Sequence, residues 1–307
     1  MKLSVVIIAF KSFHLLEKLI ISIPESYEII IIENSLDKQT KLFEQNFKNV
    51  QVILPDENLG FSKSVNLGIR VSQNNFVCFL SPDVILPKEC LENLEKIIIK
   101  LNNFALISPT YIDESIHKNY QIKNVKLLKD IEVENFQLKE VDEVDGSMFV
   151  LNKSNIDNKI LMDENFFLYF ESTDACIQLR KNKKKIYAIK NLKYNHLGTK
   201  SSDPIYSLDI KINRNWHFSW SKFYLLKKHF GYSHALRKTI PNFLRAIKVC
   251  TICILKNDKD NFKINKAILL GLINSYFLKK SSYRPFNYKE NNLLFFKLIV
   301  NVTLLSK

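Results

Sequence analysis

"CFLSPDVILP", Cys78 to Pro87, runs from apolar residues through a Ser-Pro-Asp corner into a second apolar stretch. Pro82 lacks the backbone N–H that a strand interior uses, and Ser and Asp are turn residues that hydrogen-bond their own backbone. A buried strand therefore closes here, and Asp83 has two readings. It is an ordinary turn residue, or it is a carboxylate placed at the carboxyl end of a strand, where open α/β sheets bind ligands and where hard oxygens hold divalent cations. The surrounding sequence decides between them.

Outward from this stretch, the runs "LSVVIIAF", "YEIIIIEN", "VQVILP", "FVCFLSP" and "FALISP" are short, Val- and Ile-rich and evenly spaced up to about Ser108. Such runs read as strands buried on both faces. Between them "SFHLLEKLIISI", "SKSVNLGIRVSQ" and "PKECLENLEKIIIKL" carry apolar residues three and four apart, as amphipathic helices do. The alternation is a βαβ series and predicts an α/β fold with a largely parallel sheet. Residues 111–143, polar and rich in Lys and Glu, read as an irregular excursion over the surface. "VDGSMFVLN" resumes a strand, "STDACIQLRKN" a helix, and "KIYAIKNLKYNH" one or two strands.

If the strands are parallel, their carboxyl ends meet along one edge. Asp83 then joins Glu33, Asn34 and Asp37 from "IIIIENSLD" and Asn58 and Gly60 from "ENLGFSKSVNLGI". That edge is where a nucleotide would lie.

The 307 residues are 46% apolar and 25% charged, a globular composition with a formal net charge of +14. The excess is local. Residues 1–204 hold 26 Lys and Arg against 27 Asp and Glu, whereas residues 205–307 hold 19 against 4. Past Pro204 the chain is long amphipathic stretches of Phe, Tyr, Trp, Lys and Arg, such as "SKFYLLKKHFGYSHALRKTIPNFLRAIKVC", of the kind that lies on anionic membranes. Nucleic acid is the other use of such charge, but no binding motif accompanies it, and none is expected as a partner. Trp216 and Trp220, four apart, read as helix packing. Five cysteines in apolar stretches read as buried thiols of a reducing compartment, and Cys250 and Cys253 lack the partners of a metal site. The apolar N-terminal run is too short for a signal peptide, and no stretch approaches the roughly twenty apolar residues of a spanning helix. These features place the protein in the cytoplasm, peripherally on the inner face of the membrane.

In order and approximate spacing, "SVVIIAFKS", "IIIIENSLD", "ENLGFSKSVNLGI", "FLSPDVIL", "VDGSMFVLN", "FFLYFESTDACIQL" and "NHLGTKSS" resemble the family 2 glycosyltransferases of GT-A fold, especially the bacterial rhamnosyltransferase-like members that build O-antigen and capsule. The resemblance implies a GT-A catalytic domain over 1–204, with a nucleotide-sugar half at about 1–110 and an acceptor half at about 111–204. A basic helical region over 205–307 follows. It implies that Ala9, Phe10, Glu33 and Asn34 wall the nucleotide base and ribose, with Asp37 in the following loop. Asn58, Gly60, Phe61 and Asn66 match the segment beside the donor. Ser81, Pro82 and Asp83 match the metal-binding motif, in which only Asp83 is an acid here. His196 matches a histidine that completes a site for a divalent ion, Mn or Mg.

The segment "FFLYFESTD" matches the one carrying the catalytic base, with Ser172 where a second acid commonly stands. Glu171 and Asp174 remain as candidates. Asp174 also reads as a first-turn helix residue. Glu171 follows four aromatics in five residues and precedes an expected N-cap serine; such surroundings raise a carboxyl pKa and suit a base. The implied reaction moves a sugar from a nucleoside diphosphate, with inversion, to a hydroxyl of a glycan or lipid-linked glycan. The rivals are a catalytically inactive glycan-binding or scaffold protein of the same fold, and a sugar-phosphate nucleotidyltransferase. The latter is expected to carry a Gly-rich basic loop that "IIAFKSFHLL" lacks.

Overall fold

Successive apolar residues of a strand point to opposite faces, so a run such as "LSVVIIA" needs a cover on both sides. The structure, a computed structural model, describes residues 3–101, 103–112, 120–121, 130–156, 159–198 and 201–284 and supplies both covers. Strand β1 (Leu3–Ala9) pairs in parallel with β2 (Glu28–Glu33) and β4 (Phe76–Leu80), and β2 pairs in parallel with β3 (Val50–Ile53). Leu3, Val5 and Ile7 pack against α1 (Phe13–Ile21), α2 (Leu42–Asn46) and α4 (Cys90–Lys100). Val6, Ile30 and Phe79 face the other way, onto α3 (Gly60–Val71) and α5 (Glu171–Lys181). The result is a helix–sheet–helix sandwich.

The simple βαβ series ends at β4. Strand β6 (Leu106–Tyr111) does not pair with it, because β11 (Met148–Asn152) lies between and runs antiparallel to both. Strand β12 (Ile186–His196) pairs in parallel with β6. Residues 111–143 are less irregular than their composition suggests. Within them β8 (Asp130–Val133) and β9 (Phe136–Glu140) form a hairpin about Glu134 and Asn135, and β9 pairs with β12. Alternation of Ile131 and Val133 with acids, and of Phe136 and Leu138 with polar residues, buries Val133 and Leu138. Abundant Lys and Glu masked that period of two. Short β7 (Tyr120–Gln121) pairs with β10 (Glu143–Val144); residues 113–119 and 122–129 lie outside the described residues.

Two consequences of topology position the site. Strands β1, β2, β4, β6 and β12 all point one way, so their carboxyl ends share an edge. Beyond the Ser-Pro-Asp corner, β5 (Val84–Ile85) pairs antiparallel with the last residues of β12, His196 opposite Val84.

Packing divides the chain into two units, Met1–Pro55 with Leu59–Ile205, and Asp56–Asn58 with Tyr206–Lys307. The second is built on α6 (Ser207–Phe230), α7 (Tyr232–Leu255) and α8 (Lys259–Tyr276). Trp216 and Trp220 are buried, as expected of helix packing, with Ala267 between the helices. Gly271 permits the close approach: a Cβ there would lie 2.4 Å from the Trp216 carbonyl oxygen. Trp216 stacks on Tyr283, and the Trp220 indole donates to the Lys279 carbonyl at 2.9 Å. All five cysteines are buried free thiols. Among the described residues no helix is long and apolar enough to cross a membrane.

Candidate active site

Asp83 sits where the chain turns from β4 into β5, with the Val84 N–H donating to the Ser81 carbonyl at 3.1 Å. The β5–β12 pairing carries His196 to it, and His196 Nε2 lies 3.2 Å from Asp83 Oδ1. Asp83 is 2% exposed, and its Oδ2 is buried without a hydrogen-bond partner among the described residues. A buried carboxylate oxygen left bare costs free energy unless something else meets it. The carboxylate is a ligand of the kind Mn and Mg take, and the imidazole nitrogen is one that first-row divalent ions accept. Asp83 and His196 are thus the two residues here that could hold a metal, and among the described residues no group of three His, Cys, Asp or Glu is present.

Behind His196 lies a polar-aromatic stack. The Tyr111 ring is parallel to the His196 imidazole at 5.7 Å, and Tyr111 and Tyr194 both place their hydroxyls on Ser147 Oγ, at 3.0 and 2.7 Å. Ser147 belongs to the turn "DGS" ahead of β11, in which Asp145 Oδ1 accepts from the Ser147 N–H at 2.8 Å. The Ser147 carbonyl in turn accepts from the Ser81 N–H at 2.8 Å, tying this turn to the Asp83 corner. Burial pushes the Tyr111 hydroxyl far above its usual range, reinforced by the nearby Asp145 charge.

Asp145 also faces Glu171. The helix α5 begins at Glu171 itself, so Ser172 lies inside the first turn and is not its N-cap. The cap residue Phe170 and the preceding Tyr169 both have positive φ, 65° and 70°. Left-handed backbone is costly for aromatic residues and persists where the surroundings impose it. Here it turns the chain so that Glu171 is buried at the helix start. Burial, with a smaller contribution from the Asp145 charge, raises the Glu171 carboxyl to about 7 against the opposing hydrogen bond of its own backbone N–H. Its Oε2 is buried with no hydrogen-bond partner among the described residues. Asp174, three residues on, is buried in the same first turn of the helix.

The aromatic segment before Glu171 is held by the "NLGF" segment. The Phe61 N–H donates to the Phe167 carbonyl at 2.8 Å, and Gly60, at φ 70°, admits that carbonyl: a Cβ would lie 2.4 Å from it. Asn66 is fully buried and clamps the same loop. Its Oδ1 accepts from the Leu161 and Met162 N–H groups, and its Nδ2 donates to the Met162 carbonyl and Glu164. Expected beside the donor, Asn66 instead has its hydrogen-bonding capacity taken up by the loop.

At the ends of β1 and β2 the Ala9 carbonyl accepts from the Asn34 N–H at 2.9 Å, bringing Ala9 and Phe10 beside Glu33 and Asn34. The Asn34 side chain faces inward, donating to Ser64 Oγ and accepting from the Leu59 N–H. It sets the start of α3, and both its amide nitrogen and its amide oxygen are engaged there. Glu33 is buried, with Oε1 on the Ser35 N–H at 2.6 Å and Oε2 without a hydrogen-bond partner among the described residues. Burial holds its carboxyl above the usual range against the hydrogen bonds of Ser35. Asp37 caps a short turn by accepting from the Gln39 N–H at 3.0 Å. Asn58 groups with the helical unit. The edge thus gathers Glu33, Ser81, Asp83, His196 and Glu171, and adds Asp145, Tyr111, Ser147 and Tyr194, which the sequence had not nominated. "VDGS" held a signal: an acid next to glycine immediately before a strand.

A family profile described as Glycosyl transferase family 2 matches residues 4–159. The low-salt glycan biosynthesis hexosyltransferase Agl10 of Haloferax volcanii is 26% identical over 191 residues, 58% of this chain and 62% of that protein. The chain thus matches about three fifths of that curated relative's length. Among solved structures, the mannosyltransferase PcManGT from Pyrobaculum calidifontis, in complex with GDP-Man and Mn2+, superposes with a TM-score of 0.55 at 9% identity, covering 91% of this chain and 88% of that one. S. aureus TarS 1–349 in complex with UDP gives 0.51 at 14% identity, covering 92% and 94%. Both likenesses concern the fold, which is GT-A-like.

Proposed function

Because the chain belongs to glycosyltransferase family 2, we propose that it transfers a hexose, with inversion, from a nucleoside-diphosphate sugar to a hydroxyl of a cell-surface glycan. The observation that carries this reading is a pair of separate buried acids at one sheet edge: Asp83 with His196, and Glu171 with its carboxyl near 7. Transfer requires that charge on the departing diphosphate be neutralised and that the acceptor lose a proton. Asp83 and His196 would hold a divalent cation, Mn or Mg, which would supply the positive charge that neutralises a departing diphosphate. Glu171 takes the acceptor proton, and a carboxylate near 7 is matched to that task at neutral pH. Two such groups acting on opposite sides of the anomeric carbon give in-line displacement and an inverted product.

In this reading Ala9, Phe10, Glu33 and Ser81 line the donor half, with Asp37 and Asn58 at its approaches, and Gly60 and Phe61 fix the loop that presents Glu171. The acceptor is a lipid-linked glycan of O-antigen or capsule type, met at the inner face of the membrane. The support is the basic last third of the sequence.

The experiment is a screen of nucleotide sugars by thermal shift with and without manganese, followed by product stereochemistry. A bound donor raises the melting temperature with its saturation. Asp83→Asn should abolish the manganese-dependent part of that rise while the unliganded protein still folds and melts cooperatively. A retained anomeric configuration would overturn the mechanism. Donor binding without hydrolysis or transfer would favour the inactive glycan-binding reading that Ser172 invites.

A further inference from the structure

Helix α7 leaves one face without a covering element among the described residues. Its inner side, Ala235, Thr239, Ala246, Cys250 and Cys253, is buried. Its outer side exposes Ile240, Leu244, Ile247 and Ile254, with Leu255 82% exposed at the end. At 100° per residue the first four fall on one side of the outer face. Arg237, Lys238, Arg245 and Lys248, all exposed, fall on the adjoining side. Isolated exposed apolar residues need no explanation, but a stripe of them beside a stripe of cations does.

The charge around this face is one-sided. From Ile210 to Asn257 the sequence has ten Lys and Arg and no Asp or Glu, and none of the four α7 cations has an ion-pair partner among the described residues. We propose that this outer face of α7 docks on an anionic lipid bilayer, the Ile and Leu stripe at the acyl boundary and the cations among the headgroups. The charge selects this occupant. A second copy of the face would bring like charges together, and a nucleic acid backbone offers nothing to Ile and Leu. Because α7 is not apolar enough to span, it lies on the surface. This inference deepens the membrane location in the proposed function, and its test is separate from that of sugar transfer, since docking needs neither donor nor catalysis.

The test is sedimentation of the full chain with vesicles of phosphatidylcholine alone and of phosphatidylcholine with phosphatidylglycerol. Binding is expected only to the anionic vesicles and should fall as salt rises. With roughly 1 kcal/mol per cation, the quadruple variant Arg237→Gln, Lys238→Gln, Arg245→Gln, Lys248→Gln should partition at least about a hundredfold more weakly. Leu244→Gln with Ile247→Gln should weaken it about tenfold or more. Lys259→Gln with Lys263→Gln on α8 should leave it nearly unchanged, which separates this face from mere net charge. Circular dichroism checks that each variant is folded. Undiminished binding of the folded α7 variants, an equal loss in the α8 variant, or dimerisation without vesicle binding would each overturn the proposal.

Discussion

Glu171 is buried against the sheet edge at the first turn of a helix, and these placements oppose each other. The helix N-terminus favours a carboxylate, whereas burial and the neighbouring Asp145 disfavour it, and burial is the largest effect. Activity should therefore rise with pH through about 7. Glu171→Gln should lower turnover by at least about a hundredfold with donor affinity nearly unchanged; a crippled Asp174→Asn beside an active Glu171→Gln would mean the base is Asp174. Asp145→Asn keeps a cap for the Ser147 N–H but removes a charge, so the acidic limb of the pH profile should move to lower pH. An unmoved limb would show that the Asp145 charge does not reach the base. Glu171 was legible in the sequence because four aromatics precede it. Asp145 was visible only as an acid beside a glycine before a strand; its link to Tyr111 and Glu171, 34 and 26 residues away in sequence, comes from the tertiary fold.

The elements that sequence periodicity revealed are those whose partners are close in the chain. Strands β1 to β4 alternate with helices and pair in the order β3-β2-β1-β4, as local βαβ units do. The insertion of β11 between β4 and β6 and the pairing of β5 with β12 join segments some 40 to 110 residues apart, and no local pattern specifies such partners. Yet the second pairing assembles Asp83 with His196. An apolar run marks a strand as buried; it does not say beside which neighbour the strand lies. The aromatic loop before α5 is a similar case, since its conformation depends on Asn66 from α3. Asn66→Ala would leave the Leu161 and Met162 N–H groups buried and unpaired, at a cost of about 1–3 kcal/mol each if nothing replaces the bonds. Melting temperature should fall, and turnover should fall more than donor affinity, because the loop carries Glu171 and not the nucleotide. Equal losses in both would place Asn66 beside the donor after all.

Each of the two units carries a buried group whose titration opposes the other's, and the two together shape how stability varies with pH. Glu171, raised from 4.5 to about 7, gives the folded state extra protons; the stability linked to it is present below about 4.5 and is lost as pH rises through 7. His217 in α6 is buried, its ring nitrogens on the Tyr283 carbonyl and the Ser281 hydroxyl. Burial lowers it from 6.5 to about 3, with the Arg284 charge acting in the same direction. Its contribution is present above 6.5 and is lost as pH falls toward 3. Melting temperature should therefore pass through a maximum at mildly acidic pH. Glu171→Gln should flatten the decline on the alkaline side, making the inactive variant more stable than the parent at pH 8 by a few degrees. His217→Gln, which can still reach one of the two partners, should flatten the acid side without changing the alkaline one. Calorimetry of the three proteins from pH 4 to 8 measures both slopes at once. Parallel curves would show that neither buried group titrates as its surroundings require.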